Sequence, residues 1–131
     1  MNAEPLPVLV ACCGNPAAGD DAFGCLVAAS LRRDPPHGAE VVDFGMGPTM
    51  LIDRIDGRRG LIVVDAAWSS SYLPGQLIEL DWSATLGVEL AADRTVSTHG
   101  FSIAHQVELA RTLGMLPGDM RLVAAMIERA E

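Results

Sequence analysis

The stretch Asn15-Pro16-Ala17-Ala18-Gly19-Asp20-Asp21-Ala22-Phe23-Gly24 joins two apolar segments and decides how the chain folds. The segment before it, residues 6–13 (LPVLVACC), is rich in Val and Leu without polar alternation, which is typical of a strand covered on both faces. The segment after it, residues 21–33, carries apolar residues at helical spacing. The stretch therefore predicts the corner between a first buried strand and a first helix. Backbone N–H groups and the helix dipole stabilise one carboxylate at such a corner, so the pair Asp20 and Asp21 indicates a second role.

The rest of the chain alternates predicted strands with predicted helices. Further strands are predicted at residues 40–44, 61–66, 75–80 and 119–126, and helices at residues 49–55 and from residue 98 to the glycine at 114. This alternation implies βαβ units. We predict a single domain over residues 1–131 with a three-layer α/β/α fold and a twisted, mainly parallel sheet of about five strands. Residues 75–80 follow the preceding strand after a short loop, which favours an antiparallel strand, and residues 81–94 are predicted to be mostly loop.

Composition excludes several classes of function. The 131 residues carry a net charge of −8 and contain no lysine, whereas nucleic acids are bound by clustered Lys and Arg. We therefore expect no nucleic-acid partner. No apolar run reaches the length of about 18 residues that would span a membrane, and no basic segment at the start precedes an apolar one as in a secretory signal. Three cysteines with no zinc-site spacing favour reduced thiols and a cytoplasmic protein.

Polar residues and glycines follow the predicted strands at the points where these end. In chain order they are Asn15, Asp20 and Asp21, then Asp43, Gly45 and Gly47, then Asp65, and finally Ser97-Thr98-His99-Gly100 before the last long helix. Ligand sites of open α/β sheets lie at the carboxyl ends of the parallel strands. We therefore expect several carboxylates and one imidazole to meet at one edge of the sheet.

Asp65 and His99 are the most informative of these residues. Asp65 follows Leu61-Ile62-Val63-Val64, and a buried carboxylate is costly unless it is paired or bound to a metal. Asp65 is thus a candidate ligand or acid–base group, the alternative being a cap for the following segment. His99 precedes a helix, where a positive charge is unfavourable. A neutral imidazole suits a metal ligand, and a hydrogen-bonded loop histidine is the alternative.

One aspartate of the pair at residues 20 and 21 can cap the helix while the other faces the cleft. Two carboxylates and one imidazole suit zinc or nickel better than calcium or magnesium, and three ligands with open positions favour a site that meets something from outside. The chain has no dinucleotide fingerprint, Walker lysine or nucleophile elbow. Cys13 with His99 is a disfavoured nucleophile pair, because neighbouring carboxylates raise a thiol pKa.

An ordered set of motifs resembles the hydrogenase maturation endopeptidases, which process the large-subunit precursor of [NiFe] hydrogenases. The motifs are Gly14-Asn15-Pro16 with Gly19-Asp20-Asp21, Asp43-Phe44-Gly45, Val64-Asp65-Ala66, Pro74-Gly75 and Ser97-Thr98-His99-Gly100. Each motif is weak alone, but together they cover nearly the whole chain in the family's order.

The resemblance implies that Asp21, Asp65 and His99 are the catalytic and metal-contacting residues. It further implies supporting roles for Asn15, Asp20, Asp43, Gly45 and Thr98. The metal is the nickel carried by the precursor rather than a resident cofactor, and cadmium or zinc can substitute in crystals. The implied partner is the large-subunit precursor, from which a C-terminal peptide is removed, and the protein is expected as a monomer or weak homodimer.

The mechanism stays open at this point. Nickel can polarise a carbonyl or water with a carboxylate as general base, or it can only position the peptide. A protein that inspects the loaded precursor without cutting it is an alternative, and an α/β domain with an acidic cluster for another ligand is a third.

The sequence departs from the family's pattern in three respects. Cys12 stands where the family has a glycine, and Asp21 stands where Glu is common, which shortens the reach to a metal by one methylene. The chain also ends at Glu131, before the position of the family's final helix. We expect one face of the sheet to be less covered as a result, which would favour self-association through an apolar patch.

Overall fold

The computed structural model of the chain describes residues 4–14, 22–45, 48–68, 72–81, 96–97 and 100–126. The elements are, in chain order, β1 (Val8–Cys13), α1 (Phe23–Arg33), β2 (Ala39–Gly45), a 3-10 helix (Pro48–Arg54), β3 (Leu61–Trp68), β4 (Leu77–Asp81), β5 (Val96–Ser97), α2 (Gly100–Thr112) and β6 (Met120–Met126). None of the described helices is long and apolar enough to cross a membrane.

The sheet has the strand order β2-β1-β3-β6-β4, and its first four strands are parallel. β4 runs antiparallel, which confirms the orientation predicted for residues 75–80, but it pairs with β6 rather than with β3, which precedes it in the chain. The short β5 adds an antiparallel pair at the end of β3, next to Ala67 and Trp68. The predicted mainly parallel sheet of about five strands is therefore confirmed, with β5 as an addition; residues 82–95 lie outside the described residues.

The two faces of the sheet carry separate apolar cores. Along β1, Leu9 and Ala11 belong to the core that is closed by the 3-10 helix and α2, whereas Val10 and Cys12 belong to the core that is closed by α1. The alternation follows from the period of two along a strand. Helices thus cover both faces, as predicted for a three-layer fold, and the lack of polar alternation in β1 is explained by burial on both sides.

The ends of two helices differ from the sequence predictions. The segment predicted as a short helix at residues 49–55 is a 3-10 helix at Pro48–Arg54. α1 begins at Phe23, and Ala22 in the N-cap position makes no side-chain capping bond. The aspartate predicted to cap this helix is one of the pair at residues 20 and 21, which lie outside the described residues.

Candidate functional site at the carboxyl edge of the sheet

Asp65 lies in the middle strand of the sheet and is almost completely buried, with 1% of its surface exposed. Among the described residues it is the only charged one in the buried class. Its position in β3 has the same parity as Leu61 and Val63, which face the core beneath α2. The apolar run before Asp65 therefore carries a carboxylate into the interior, as the sequence predicted.

The neighbours of Asp65 across the sheet are apolar or weakly polar. Ala124 of β6 pairs with it, and Ile78 of β4 pairs with Ala124. On the other side, Cys12 of β1 pairs with Val64, which places Cys13 next to Asp65. We call these four residues (Cys13, Asp65, Ala124 and Ile78) the Asp65 row. The low polarity of the row strengthens any electrostatic interaction that the carboxylate makes there.

Asp65 accepts a hydrogen bond from the N–H group of Ala66 at 2.8 Å, through Oδ1. Ala66 is itself a strand residue, since β3 continues to Trp68. The bond thus orients the carboxylate within the strand. A net gain of about 1 kcal/mol for such a bond offsets only part of the cost of burying a carboxylate.

The end of β2 forms a bulge around Asp43. Cys12 pairs with Asp43 but Cys13 pairs with Gly45, so Phe44 is an extra residue on β2. The Gly45 N–H group donates to Asp43 Oδ1 at 2.8 Å, and the Gly14 N–H group donates to the Gly45 carbonyl at 2.9 Å. Gly45 has φ +59°, a conformation that favours glycine. The end of β2 is therefore a bulge at which the Gly45 N–H group holds the Asp43 carboxylate.

α1 approaches the end of β1 closely at Gly24. A Cβ atom at Gly24 would overlap the Cys13 carbonyl oxygen and lie 2.6 Å from the carbonyl carbon. Only glycine allows the helix to dock there, because the atoms it meets belong to the backbone. The contact fixes the start of α1 relative to the end of β1. These are the two elements that residues 15–21 connect. Asn15, Asp20 and Asp21 themselves lie outside the described residues.

Two thiols at the end of β1 are buried, and the pKa of each is raised. Burial, assisted by the charge of Asp43, raises the pKa of Cys12 to about 12. Burial, assisted by the charge of Asp65, raises the pKa of Cys13 far above its usual range. Both thiols are thus neutral at physiological pH and poor nucleophiles. This agrees with the expectation from the sequence that Cys13 is a disfavoured nucleophile.

The segment that contains His99 is flanked by two described elements. β5 ends at Ser97 beside β3, and α2 begins at Gly100. α2 is held against the 3-10 helix by Gln106, whose Oε1 accepts the Ile52 N–H group at 2.9 Å. Thr98 and His99 lie outside the described residues.

Three of the predicted site residues are described, on the two strands that flank β1, and Asp65 lies inside β3, which continues to Trp68. Asp43 and Gly45 end β2, and Asp65 lies next to the end of β1. Within the described residues no group of three or more His, Cys, Asp or Glu side chains is arranged to hold a metal ion. Because two of the three predicted ligands, Asp21 and His99, are outside those residues, the proposed metal contact stays a prediction.

Sequence reasoning missed two features of this edge. One is Gly24, for which a glycine inside a helical pattern was the available signal. The other is Cys25, whose Sγ lies 3.3 Å from the Gly14 carbonyl oxygen and 3.6 Å from Asp43 Oδ1. No local sequence signal distinguishes this thiol from an ordinary helix residue.

Comparison with known proteins agrees with the resemblance seen in the motifs. A Methanocaldococcus jannaschii protein, provisionally described as a hydrogenase maturation protease, is 34% identical over 76 residues, which are 56% of this chain and 49% of that protein. The matched part is thus about half of the curated relative's length. No protein-family model matches the chain.

Solved structures of hydrogenase maturation endopeptidases have a similar fold. The endopeptidase HybD from Escherichia coli superposes with a TM-score of 0.78 at 26% identity, covering 95% of this chain and 76% of that one. A hydrogenase 2 maturation peptidase from a Thaumarchaeota archaeon superposes with a TM-score of 0.62 at 27% identity, covering 95% and 80%. The resemblance to hydrogenase maturation endopeptidases predicted from the sequence is therefore confirmed, and so is the predicted fold class.

Proposed function

We propose that the chain is a nickel-dependent processing endopeptidase that removes a C-terminal peptide from the large-subunit precursor of a [NiFe] hydrogenase. The observation that carries this proposal is the buried Asp65 at the centre of the sheet, in a fold similar to HybD. A carboxylate is retained there although its neighbours in the Asp65 row would accommodate an apolar side chain. Such a group is more readily explained by chemistry than by stability.

The proposed role of Asp65 is to contact the nickel that the precursor carries, together with Asp21 and His99. Two carboxylates and one imidazole form a mixed oxygen and nitrogen set suited to a borderline divalent metal. The apolar surroundings of Asp65 favour this contact, because the attraction between opposite charges grows as the local dielectric falls. The nickel is part of the substrate in this proposal, so an unloaded precursor would not be recognised.

The hydrolysis itself requires water to attack the scissile carbonyl carbon, the C–N bond to break, and a proton to reach the leaving amine. A carboxylate at the site would take the proton from the attacking water and return it to the amine. The metal in the substrate would polarise the carbonyl or the water. The buried, protonated thiols of Cys12 and Cys13 argue against a cysteine nucleophile from β1.

We also propose a cytoplasmic location and a monomer or weak homodimer. Cys12, Cys13 and Cys25 are all reduced thiols, which suits a reducing compartment. The net charge of −8 opposes close association of identical chains and disfavours nucleic acid.

Replacing Asp65 by asparagine tests the proposal. Asp65→Asn removes the charge but keeps an oxygen that can accept from Ala66 N–H, and circular dichroism checks that the variant is folded. We expect it to leave the nickel-loaded precursor uncut, as measured by the intact mass before and after incubation. Asp119→Asn is the matched control, because that aspartate is 69% exposed at the other end of the sheet, and it should cleave normally.

Full cleavage by Asp65→Asn, and likewise by His99→Ala, would contradict the site assignment. If the wild-type chain forms a nickel-dependent complex with the precursor but the mass never changes, the inspecting protein without protease activity is the correct function instead.

A further inference from the structure

Four residues at the corner between β1, β2 and α1 form a closed hydrogen-bonded ring. The Cys25 thiol contacts the Gly14 carbonyl oxygen at 3.3 Å and Asp43 Oδ1 at 3.6 Å. The same Asp43 oxygen accepts the Gly45 N–H group at 2.8 Å, and the Gly45 carbonyl accepts the Gly14 N–H group at 2.9 Å. We call Gly14, Cys25, Asp43 and Gly45 the corner brace.

Cys25 is the member of the brace that connects the helix to the two strand ends. Gly14 follows β1, while Asp43 and Gly45 belong to β2. Gly24, the residue before Cys25, is in contact with the Cys13 backbone, so the helix position is set from two sides. A thiol can donate one proton, and the Gly14 carbonyl oxygen and Asp43 Oδ1 both lie at hydrogen-bond distances for sulfur.

The brace acts on the segment that the proposed site needs. Gly14 and Ala22 are the described residues on either side of residues 15–21, which contain Asn15 and the two adjacent aspartates. The Asp43 carboxylate, a predicted supporting residue, is held by a backbone N–H group on one side and by the thiol on the other. Displacing the first turn of α1 would therefore move both the Asp43 carboxylate and the anchor points of this segment.

We propose that Cys25 is a positioning residue for the processing reaction, and that its thiol keeps the Asp43 carboxylate and the Gly14 carbonyl in place at the carboxyl edge of the sheet. The inference rests on the proposed function. Cys25 touches neither substrate nor metal in this role, and it acts through Asp43 and through the backbone at Gly14. Residues that orient the groups of a metal-contacting site commonly contribute about 10-fold to 100-fold to activity.

Two substitutions at one position separate positioning from packing. Cys25→Ala removes the donor, whereas Cys25→Ser keeps an O–H donor on a side chain of similar shape. With nickel-loaded precursor as substrate, we expect Cys25→Ala to lower kcat about 10-fold or more with KM unchanged, and Cys25→Ser to recover most of the loss. Amide hydrogen exchange at Gly14 and Gly45 should be faster in Cys25→Ala and close to wild type in Cys25→Ser.

Val27→Ala is the matched control. Val27 is half-buried on the same helix and packs against the core beneath α1, away from the brace. It should lose stability but retain the wild-type kcat at a temperature where it is folded, because it leaves all bonds of the brace intact.

The outcomes distinguish this inference from the proposed function. If the wild-type chain cleaves the precursor and Cys25→Ala cleaves it with the same kcat, the role of Cys25 is overturned and the proposed function is not. If Val27→Ala loses as much kcat as Cys25→Ala, or if Cys25→Ser does not recover the loss, Cys25 acts only in packing. Either result would also overturn its proposed positioning role. No cleavage by the wild-type chain would overturn the proposed function, and the role of Cys25 with it.

Discussion

Replacing Gly24 by alanine should destabilise the protein, although the same change usually stabilises a helix. Alanine is favoured over glycine by up to about 1 kcal/mol within helices. Gly24 is the second residue of α1, so at an uncrowded position the variant would be more stable than the wild type. The sign of the effect therefore tests whether α1 docks on β1 as described.

The size of the effect follows from the distances at the contact. The added Cβ would lie 2.6 Å from the carbonyl carbon and 2.8 Å from the amide nitrogen of Cys13, whereas carbon atoms pack at about 3.5–4.0 Å. The overlap with the Cys13 carbonyl oxygen is larger still, so α1 would have to withdraw by more than about 1 Å. β1 cannot yield, because it is bonded to β2 on one side and to β3 on the other. Overpacking of this kind costs about 1–3 kcal/mol, and we expect the upper end, about 2 kcal/mol after the gain in helix propensity.

Urea unfolding followed by circular dichroism measures this difference. Gly118→Ala is the matched control, since a Cβ atom there would have no neighbour within 4 Å, and it should be neutral or slightly stabilising. We also expect Gly24→Ala to process the nickel-loaded precursor more slowly, because the first turn of α1 is part of the corner brace. A Gly24→Ala variant as stable as the wild type, or more so, would refute the docking geometry.

Three further predictions concern other parts of the fold. Hydrogen bonds from Arg58 and Arg54 lower the pKa of Glu40, so its contribution to the free energy of unfolding is present at neutral pH and is lost as the pH falls through that lowered pKa. Because the side chain is 44% exposed, Glu40→Gln should cost less than about 1 kcal/mol at neutral pH. In acid the substitution should cost nothing, and urea unfolding at both pH values measures the difference. Gln106→Ala should cost about 1 kcal/mol or more in urea unfolding, because the Ile52 amide of the 3-10 helix loses its acceptor. A thiol-specific disulfide reagent in mildly alkaline buffer should label the half-buried Cys25 in the folded protein. It should label Cys12 and Cys13 only after denaturation, since burial keeps both of these thiols protonated. Rapid labelling of all three thiols without denaturant would contradict the burial of Cys12 and Cys13.

The elements of this fold were predictable because their signals are local. The apolar run of β3 and the glycine after α2 mark an interior strand and a helix end within a few residues. The partner of β4 was not predictable in the same way. β4 pairs with β6, and the paired residues are 40 to 48 positions apart in the chain. Such pairing depends on which strands the crossovers bring together. The two-residue β5 is too short for any periodic pattern to appear.

The candidate site was predictable where a residue contradicts its surroundings. An aspartate after four apolar residues predicts a buried carboxylate, and Asp65 is buried. A cysteine on an amphipathic helix fits its surroundings, so the sequence did not indicate that Cys25 has a role at the site. Its contact with Asp43 lies at the bulge around Phe44, and a bulge is defined by the pairing of two strands rather than by either sequence alone.

The Asp65 row shows why the site and the core have different requirements. Ala124 and Ile78 on one side and Cys13 on the other contribute to the core in proportion to the apolar area they bury, and an aliphatic side chain between them would add to it. A carboxylate at that position costs free energy even with the Ala66 N–H group as a donor. The same burial that makes Asp65 costly also excludes water from it, so a divalent metal brought by a substrate would meet a carboxylate that is oriented and poorly solvated. The price in stability and the strength of the proposed metal contact therefore have one physical cause, the low polarity of the row.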